Sequence, residues 1–227
     1  MSSWQYSEEE RRTLLLAFRY PRGRYGAGRA SQLSGVPERT VYHWAQTQVL
    51  VPDFANEHPK TWSYRDLVFL RLLVFLRSHD VELRRSADFV AGLREDLSSG
   101  ELSVDATRLS AADGAVAVGD EILEGLGGQG VFNTMVDVVG HFDLLADLGL
   151  GQVQMNGPNL VRPSHHTSMS PWVVGGEPVI RGSRIPTVAI VTLHRDRLLN
   201  AEAIVNLYPT ITLADVDDAL AFESSLT

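Results

Sequence analysis

The sequence predicts a mainly α fold in three parts. Apolar residues recur at helical spacing in several segments of the first hundred residues and again in the last sixty. Between them, residues 98–130 are rich in Ser, Gly, Ala and Asp, which is typical of loops and weak strands. We therefore expect an N-terminal helical domain over residues 1–97, a small α/β linker subdomain over 98–169, and a C-terminal three-helix bundle over 170–227.

Three helices of the N-terminal domain are predicted from their caps and apolar faces. Ser7 and Glu10 have the spacing of a capping box, so a first helix is expected over residues 8–19. Residues 63–77 are apolar almost all round, which predicts a central helix buried on several sides. A further amphipathic helix is expected over residues 82–97.

Two short helices are expected on either side of a tight turn. Residues 28–34 suit the first helix, and Gly35 lies in the turn. Pro37 suits the first turn of the second helix, where its missing amide does no harm. Residues 49–62 contain a polar loop between two short extended pieces, which suits a small β-wing. The segment therefore predicts a winged helix-turn-helix.

The sequence pattern that predicts secondary structure is weak in the middle part and clear in the C-terminal part. In the middle, short strands are expected at residues 116–118 and 122–123, a helix over 131–148 and extended chain over 153–162. In the C-terminal part, a buried helix is expected over 187–198. A short helix capped by Asn200 and a last helix capped by Thr212 with Asp215 complete the bundle.

Charge is unevenly distributed along this acidic chain, whose formal net charge is −8. Residues 11–85 hold 13 Lys and Arg against 6 Asp and Glu, whereas residues 101–227 hold 6 against 16. A basic N-terminal half suits contact with phosphates, because the local sign of the charge governs such binding. A chance excess of surface arginine explains the same counts equally well.

A helix that enters the major groove of DNA presents its N-terminal half to the bases. Arg and Gln in such a helix can read purine edges with two hydrogen bonds each, and basic residues near the wing can hold phosphates. The aromatic residues Trp44, Trp62 and Tyr64 are expected in the core rather than on the bases. The candidate DNA-binding residues are Arg29, Arg39, Thr40, Tyr42, His43, Gln46, Lys60 and Arg65.

Residues 25–77 resemble the MerR-type winged helix. The resemblance rests on the turn Ser34-Gly35-Val36-Pro37, on Thr40 with His43-Trp44, on Leu50-Val51-Pro52 and on Lys60-Thr61-Trp62-Ser63. It implies DNA binding through the helix that follows the turn. The chain departs from that family at Tyr42, where an arginine is usual, and it lacks the family's long dimer coiled coil and metal-sensing cysteines.

Residues 170–224 resemble the small trihelical domain found in many VapB-type antitoxins. The match is most specific from Gly176 to Pro186, and it departs at 195–199, where many members have a Gly-containing link. The resemblance implies a PIN-type ribonuclease toxin as the partner. The clustered carboxylates of such a toxin would pair with the guanidinium groups of Arg181 and Arg184. Alternatively, both arginines brace their own loop by bonding backbone carbonyls.

Together these features predict an antitoxin of a type II toxin–antitoxin system, which represses its own operon and inhibits its toxin. Operators of such proteins are usually palindromic, so a homodimer within a larger toxin–antitoxin complex is expected. The alternatives are a MerR-like regulator whose residues 98–227 bind a small-molecule effector, and a pure assembly protein. We expect no enzyme activity, cofactor or metal, because the chain has no cysteine and no nucleophile with a partner base. With no signal peptide and no long apolar run, a cytoplasmic location without membrane contact is expected.

Overall fold

The structure is a computed structural model, and it describes residues 6–56, 59–100, 128–140, 142–148 and 152–226. Most of this part of the chain is helical, and its strands are short and antiparallel. The predicted mainly α class is therefore confirmed. The strands expected at 116–118 and 122–123 lie outside the described residues. No helix in the described ranges is long and apolar enough to cross a membrane.

The helices of the N-terminal part lie close to the expected ranges. In chain order they are α1 (Glu8–Arg19), α2 (Ala27–Ser34), α3 (Glu38–Gln46), α4 (Tyr64–Ser78) and α5 (Leu83–Ser99). The remaining elements are α6 (Gly128–Val139), β1 (Phe142–Asp147), β2 (Gln152–Gly157), β3 (Thr167–Ser168), a 3-10 turn (Val174–Gly176), β4 (Val179–Ile180), α7 (Thr187–Asp196), α8 (Ala201–Leu207) and α9 (Leu213–Ser225).

The predicted helix caps are all present. The Ser7 hydroxyl accepts the Glu10 amide at 3.2 Å, and the Glu10 carboxylate accepts the Ser7 amide at 2.8 Å. Asn200 caps α8, and Thr212 forms a reciprocal capping box with Asp215 at the start of α9. These bonds satisfy amides that have no partner inside their helices, which explains why the helices begin at these residues.

Helix α4 forms the centre of the molecule, as its apolar composition predicts. Its side chains are buried along nearly the whole length, and α1, α2, α5, α6 and β1 pack against it. Arg71 lies fully buried in this helix, where its guanidinium donates to six backbone carbonyls: those of Leu33, Ser34, Val138, Val139, Gly140 and Pro158. One cation thus joins the C-terminal ends of α2 and α6 to the residue that follows β2.

The turn between α2 and α3 is closed by Gly35, which has a φ of +77°. A Cβ at this position would lie 2.6 Å from the backbone carbon of Asn156 in β2, so the turn also requires glycine for its close packing. The predicted β-wing is reduced to two isolated bridges, Tyr25 with Trp62 and Phe54 with Thr61.

The helix expected over 131–148 is wrong in its second half. Helix α6 ends at Val139, and β1 then pairs antiparallel with β2 in a register that places Phe142 opposite Gly157. The change of structure follows Gly140, which is a poor helix residue. Strand β2 confirms the first part of the extended chain expected over 153–162, and its side chains alternate between exposed and more buried positions.

The C-terminal residues form the predicted three-helix bundle, which we call the trihelical unit (residues 170–226). It has its own apolar cluster, made by Ile180, Ile190, Ile204, Ile211, Val216 and Ala219. Phe222 of α9, however, belongs to the larger cluster of the N-terminal part. The trihelical unit therefore packs against the rest of the described chain.

Candidate nucleic-acid interface

Helix α3 presents one polar face to solvent. Arg39, Tyr42, His43 and Gln46 are exposed and recur at spacings of three or four residues, which places them on the same side of the helix. Thr40, a predicted contact, is 3% exposed and points into the core, so its hydroxyl is not offered to DNA. The exposed face keeps the groups that can hydrogen-bond to base edges.

The other side of α3 is fixed by aromatic packing. Trp44, Trp62 and Tyr64 are each 1% exposed, which agrees with the expectation that they belong to the core. The ring of Tyr42 meets the ring of Trp62 edge-on, with centroids 6.0 Å apart. The exposed tyrosine therefore rests on a buried residue next to the wing, and this contact limits the freedom of its ring.

Two basic residues lie near the wing at the surface. Lys60 is exposed, as a phosphate contact requires. The guanidinium of Arg24 lies 4.1 Å from the centroid of the Phe54 ring, so a cation–π contact positions this exposed arginine beside the wing. The sequence analysis missed Arg24. A signal was present in the basic pair Arg22 and Arg24, which precedes α2.

Arg65 lies inside the protein, contrary to its expected place at a phosphate. Its guanidinium forms two 2.7 Å bonds with the Asp53 carboxylate, and it also donates to the carbonyls of Phe18 and Arg19 and to the Ser98 hydroxyl. Burial alone would raise the pKa of Asp53, but the bonds from Arg65 and Ser63 outweigh burial and lower it. Arg65 is therefore part of the fold and is removed from the candidate interface.

A second ion pair, between the buried Asp66 and the partly exposed Arg94, extends this network from the wing to α5. The carboxylate of Asp66 accepts the amides of Asp53 and Ser63 and the Nη2 of Arg94, the last at 2.7 Å. Burial and the nearby Asp53 charge raise the pKa of Asp66 to about 6. The network fixes the start of the wing to α4 and α5, so the wing holds a set position relative to α3.

Arg29, which was expected at a DNA phosphate, instead contacts two carboxylates. Its Nε donates to Glu177 at 2.9 Å, and its Nη1 and Nη2 donate to Glu223 at 2.9 and 2.8 Å. Burial alone would lower the pKa of Arg29, but the bonds to these two carboxylates raise it. In this conformation the guanidinium is held by acidic residues of the trihelical unit and does not face a phosphate.

The second candidate site is the turn that carries Arg181 and Arg184. The amide of Ser183 donates to the Ile180 carbonyl at 2.9 Å, and Gly182 has a φ of +76°, as in a type II turn. Both arginines are exposed at this turn. Arg181 makes one long bond, of 3.5 Å, to the Ser164 carbonyl, so its guanidinium remains accessible to a carboxylate.

Two acidic residues of α9, Asp215 and Asp218, have structural partners. Asp218 accepts the Ser164 hydroxyl, the His166 amide and the Thr167 hydroxyl, at 2.5 to 3.2 Å. Asp215 accepts the Nδ1 of His166 at 2.8 Å. These bonds attach α9 to residues 164–167. Among the described residues, no group of three or more His, Asp and Glu side chains is placed to hold a metal ion.

An open cleft of about 500 Å³ lies between α1 and residues 161–171. Leu14, Tyr64 and Met169 form its buried part. Its edge carries the ion pair between Glu10 and Arg162, with 2.7 Å between Oε1 and Nη2. Arg181 also lines the cleft. The arrangement combines an apolar surface with an accessible cation, which suits an apolar molecule that carries an anionic group.

Comparison with known proteins identifies only the C-terminal part. A family model described as a protein of unknown function (DUF433) matches residues 168–222. The matched segment starts at Ser168 in β3, includes β4, α7 and α8, and ends at Phe222 within α9, and it covers less than half of the chain. No curated protein and no solved structure shows significant similarity to the chain.

Proposed function

We propose that this chain is the antitoxin of a type II toxin–antitoxin system, acting in the cytoplasm. Its winged helix-turn-helix binds the operator of its own operon, and its trihelical unit binds and inhibits a PIN-type ribonuclease. The observation that carries the proposal is the exposed face of α3, where Arg39, Tyr42, His43 and Gln46 follow a tight turn and stand beside a wing with a basic residue, Lys60.

Operator binding is tested with fluorescence anisotropy on DNA from upstream of the gene, at several salt concentrations. The double variant Arg39→Ala and Lys60→Ala should weaken binding and flatten its dependence on salt, because each lost phosphate contact lowers the slope by about 0.9. The double variant Arg195→Ala and Arg197→Ala removes the same charge from exposed positions of the trihelical unit and is the matched control. DNA binding that does not depend on salt, or that is equally weak in both double variants, would contradict the proposal. The alternative of a pure assembly protein would then be the better interpretation.

Toxin binding is proposed for the turn at Arg181 and Arg184, since guanidinium groups pair with carboxylates in a fork geometry. A tagged protein is recovered from its native host after nuclease treatment, and bound proteins are identified by mass spectrometry. A small ribonuclease with an acidic site, recovered in near-equal amount and lost with Arg181→Gln and Arg184→Gln, would support the proposal. Arg195→Gln with Arg197→Gln is the matched control. Recovery of no protein partner would overturn the toxin-binding part.

The cleft beside α1 favours a second candidate function, a DNA-binding regulator that responds to a small-molecule effector. Arg181 lines the cleft and Arg184 does not, although both belong to one turn. A fluorescent probe with an apolar body and a sulfonate, 8-anilinonaphthalene-1-sulfonate, should therefore bind less tightly to Arg181→Met than to Arg184→Met if the cleft takes ligands. Equal binding by both variants, or none, would count against the effector function.

A further inference from the structure

The trihelical unit is attached to the first helix of the helix-turn-helix by a set of close contacts that we call the latch. On the DNA-binding side it is formed by residues at and before the start of α2, and on the other side by the 3-10 turn and the last turn of α9. Its members are Arg24, Tyr25 and Arg29 on the first side, and Gly175, Gly176, Glu177 and Glu223 on the second.

One half of the latch is uncharged and tightly packed. The Tyr25 hydroxyl donates to the Gly176 carbonyl at 2.7 Å, and the Arg24 amide donates to the Gly175 carbonyl at 3.1 Å. A Cβ on Gly176 would lie 2.1 Å from the Tyr25 hydroxyl oxygen, and Gly176 has a φ of +90°. Glycine is thus required at this contact by both space and backbone conformation.

The other half of the latch is ionic. The Arg29 side chain is only 14% exposed, and its guanidinium donates to both Glu177 and Glu223. Glu223 also accepts the Thr187 hydroxyl at 2.5 Å, and Thr187 begins α7. The carboxylate of Glu223 therefore joins α2, α7 and α9, so a shift of the trihelical helices acts directly on Arg29.

We propose that the latch opposes DNA binding, and that its opening frees Arg29 to contact a phosphate. This inference rests on the proposed function of the helix-turn-helix. In such a motif the first helix crosses the DNA backbone, and Arg29 lies in the first turn of that helix. While the latch is closed, Glu177 and Glu223 occupy the guanidinium and set two negative charges beside it. A protein partner that holds the trihelical unit away from α2 accordingly strengthens operator binding.

The test uses the full chain with Glu177→Gln and Glu223→Gln together, and anisotropy on upstream DNA. Affinity at 0.1 M salt should rise roughly 3- to 10-fold, and the salt slope should steepen by about 0.9, the value for one added phosphate contact. In an Arg29→Gln background the same two substitutions should leave the salt slope unchanged and raise the affinity by no more than a charge control does. The control, Glu202→Gln with Asp217→Asn, removes two exposed charges from the same unit and should have a smaller effect.

A variant that changes no charge separates the effect of opening the latch from the general effect of removing negative charge. Gly176→Ala should also raise the affinity, and the Arg24 amide should exchange with solvent faster because its bond to Gly175 is lost. An equal gain with and without Arg29, or faster exchange at Arg24 without tighter binding, would overturn the latch while leaving DNA binding in place. Absence of salt-dependent DNA binding in the wild type and in all the variants would instead overturn the proposed function, and the latch with it.

Discussion

The guanidinium of Arg65 bonds both carboxylate oxygens of Asp53, each at 2.7 Å, and only about 6% of its side chain is exposed. This pair joins the start of the wing to α4. The basic residues of the N-terminal half fall into two classes. Arg29, Arg65 and Arg71 make structural contacts, whereas Arg39 and Lys60 are exposed. The excess of positive charge in the sequence therefore overstates the charge that DNA could meet.

Substitution of Arg65 by Gln should destabilise the protein rather than weaken DNA binding selectively. Loss of Arg65 removes two short bonds from the buried Asp53 carboxylate, which keeps the Ser63 hydroxyl at 2.5 Å and the Arg94 guanidinium at 3.8 Å. Breaking a buried ion pair in this way should cost about 3 kcal/mol in the free energy of unfolding. Urea unfolding followed by circular dichroism measures this change. The comparison variant Arg39→Gln, at an exposed position, should alter stability by less than about 0.5 kcal/mol. Equal stability of the two variants would contradict the role assigned to Arg65.

Arg71 gives a second stability prediction. Burial lowers the pKa of Arg71 to about 9, which still leaves the guanidinium charged at neutral pH. Its replacement by Met removes the donors for six carbonyls at the ends of α2 and α6 and after β2, and unsatisfied buried acceptors are costly. We expect a loss of about 3 kcal/mol or more in urea unfolding. Arg84→Met, exposed on α5, is the control and should stay close to wild type.

The sequence predicted those elements whose signals are local. The capping boxes at Ser7 and Thr212, the turn at Gly35 and the apolar run of α4 each depend on residues a few positions apart, and the structure has them where they were expected. The helix expected over 131–148 failed because β1 owes its form to pairing with β2. Such pairing depends on the partner strand more than on intrinsic propensity.

In the candidate site, too, the sequence predicted local features and missed contacts between distant residues. The exposed face of α3 follows from helical periodicity, so Arg39, Tyr42, His43 and Gln46 were placed at the surface from sequence alone. Thr40, which was placed with them, is buried. Arg29 meets Glu223, 194 residues away, and Arg65 meets Asp53, which itself takes part in a network with Asp66 and Arg94. No local pattern distinguishes an arginine that pairs with a distant carboxylate from one that faces solvent.

Asp215 provides a prediction about pH. Burial alone would raise the pKa of Asp215, but hydrogen bonds from Thr212 and His166 outweigh burial and lower it. A carboxyl whose pKa is lower in the folded state stabilises the protein above its unfolded pKa of about 3.9, and that contribution is lost as the pH falls through the folded value. Asp215→Asn should therefore cost about 1 kcal/mol at pH 7 and much less at pH 2.

The measurement is urea unfolding of wild type and Asp215→Asn at a series of pH values between 2 and 7. Asp217→Asn, in the same helix with an exposed side chain, is the matched control and should differ little from wild type throughout. A difference between wild type and Asp215→Asn that persists undiminished at low pH would show that the carboxylate charge is not what stabilises α9.

Leu198 should be replaceable by glycine with a gain in stability. It follows α7 with a φ of +54°, a conformation that costs an L-residue about 1–2 kcal/mol and that glycine adopts freely. Its side chain is 86% exposed, so little packing is lost with it. Leu198→Gly should raise the free energy of unfolding by about 0.5–1 kcal/mol, because the relief of strain exceeds the added entropy of the unfolded chain. Ala221→Gly, at an exposed position inside α9, is the control and should lower it by about 1 kcal/mol. If Leu198→Gly is also destabilising, the leucine side chain contributes to the fold despite its exposure.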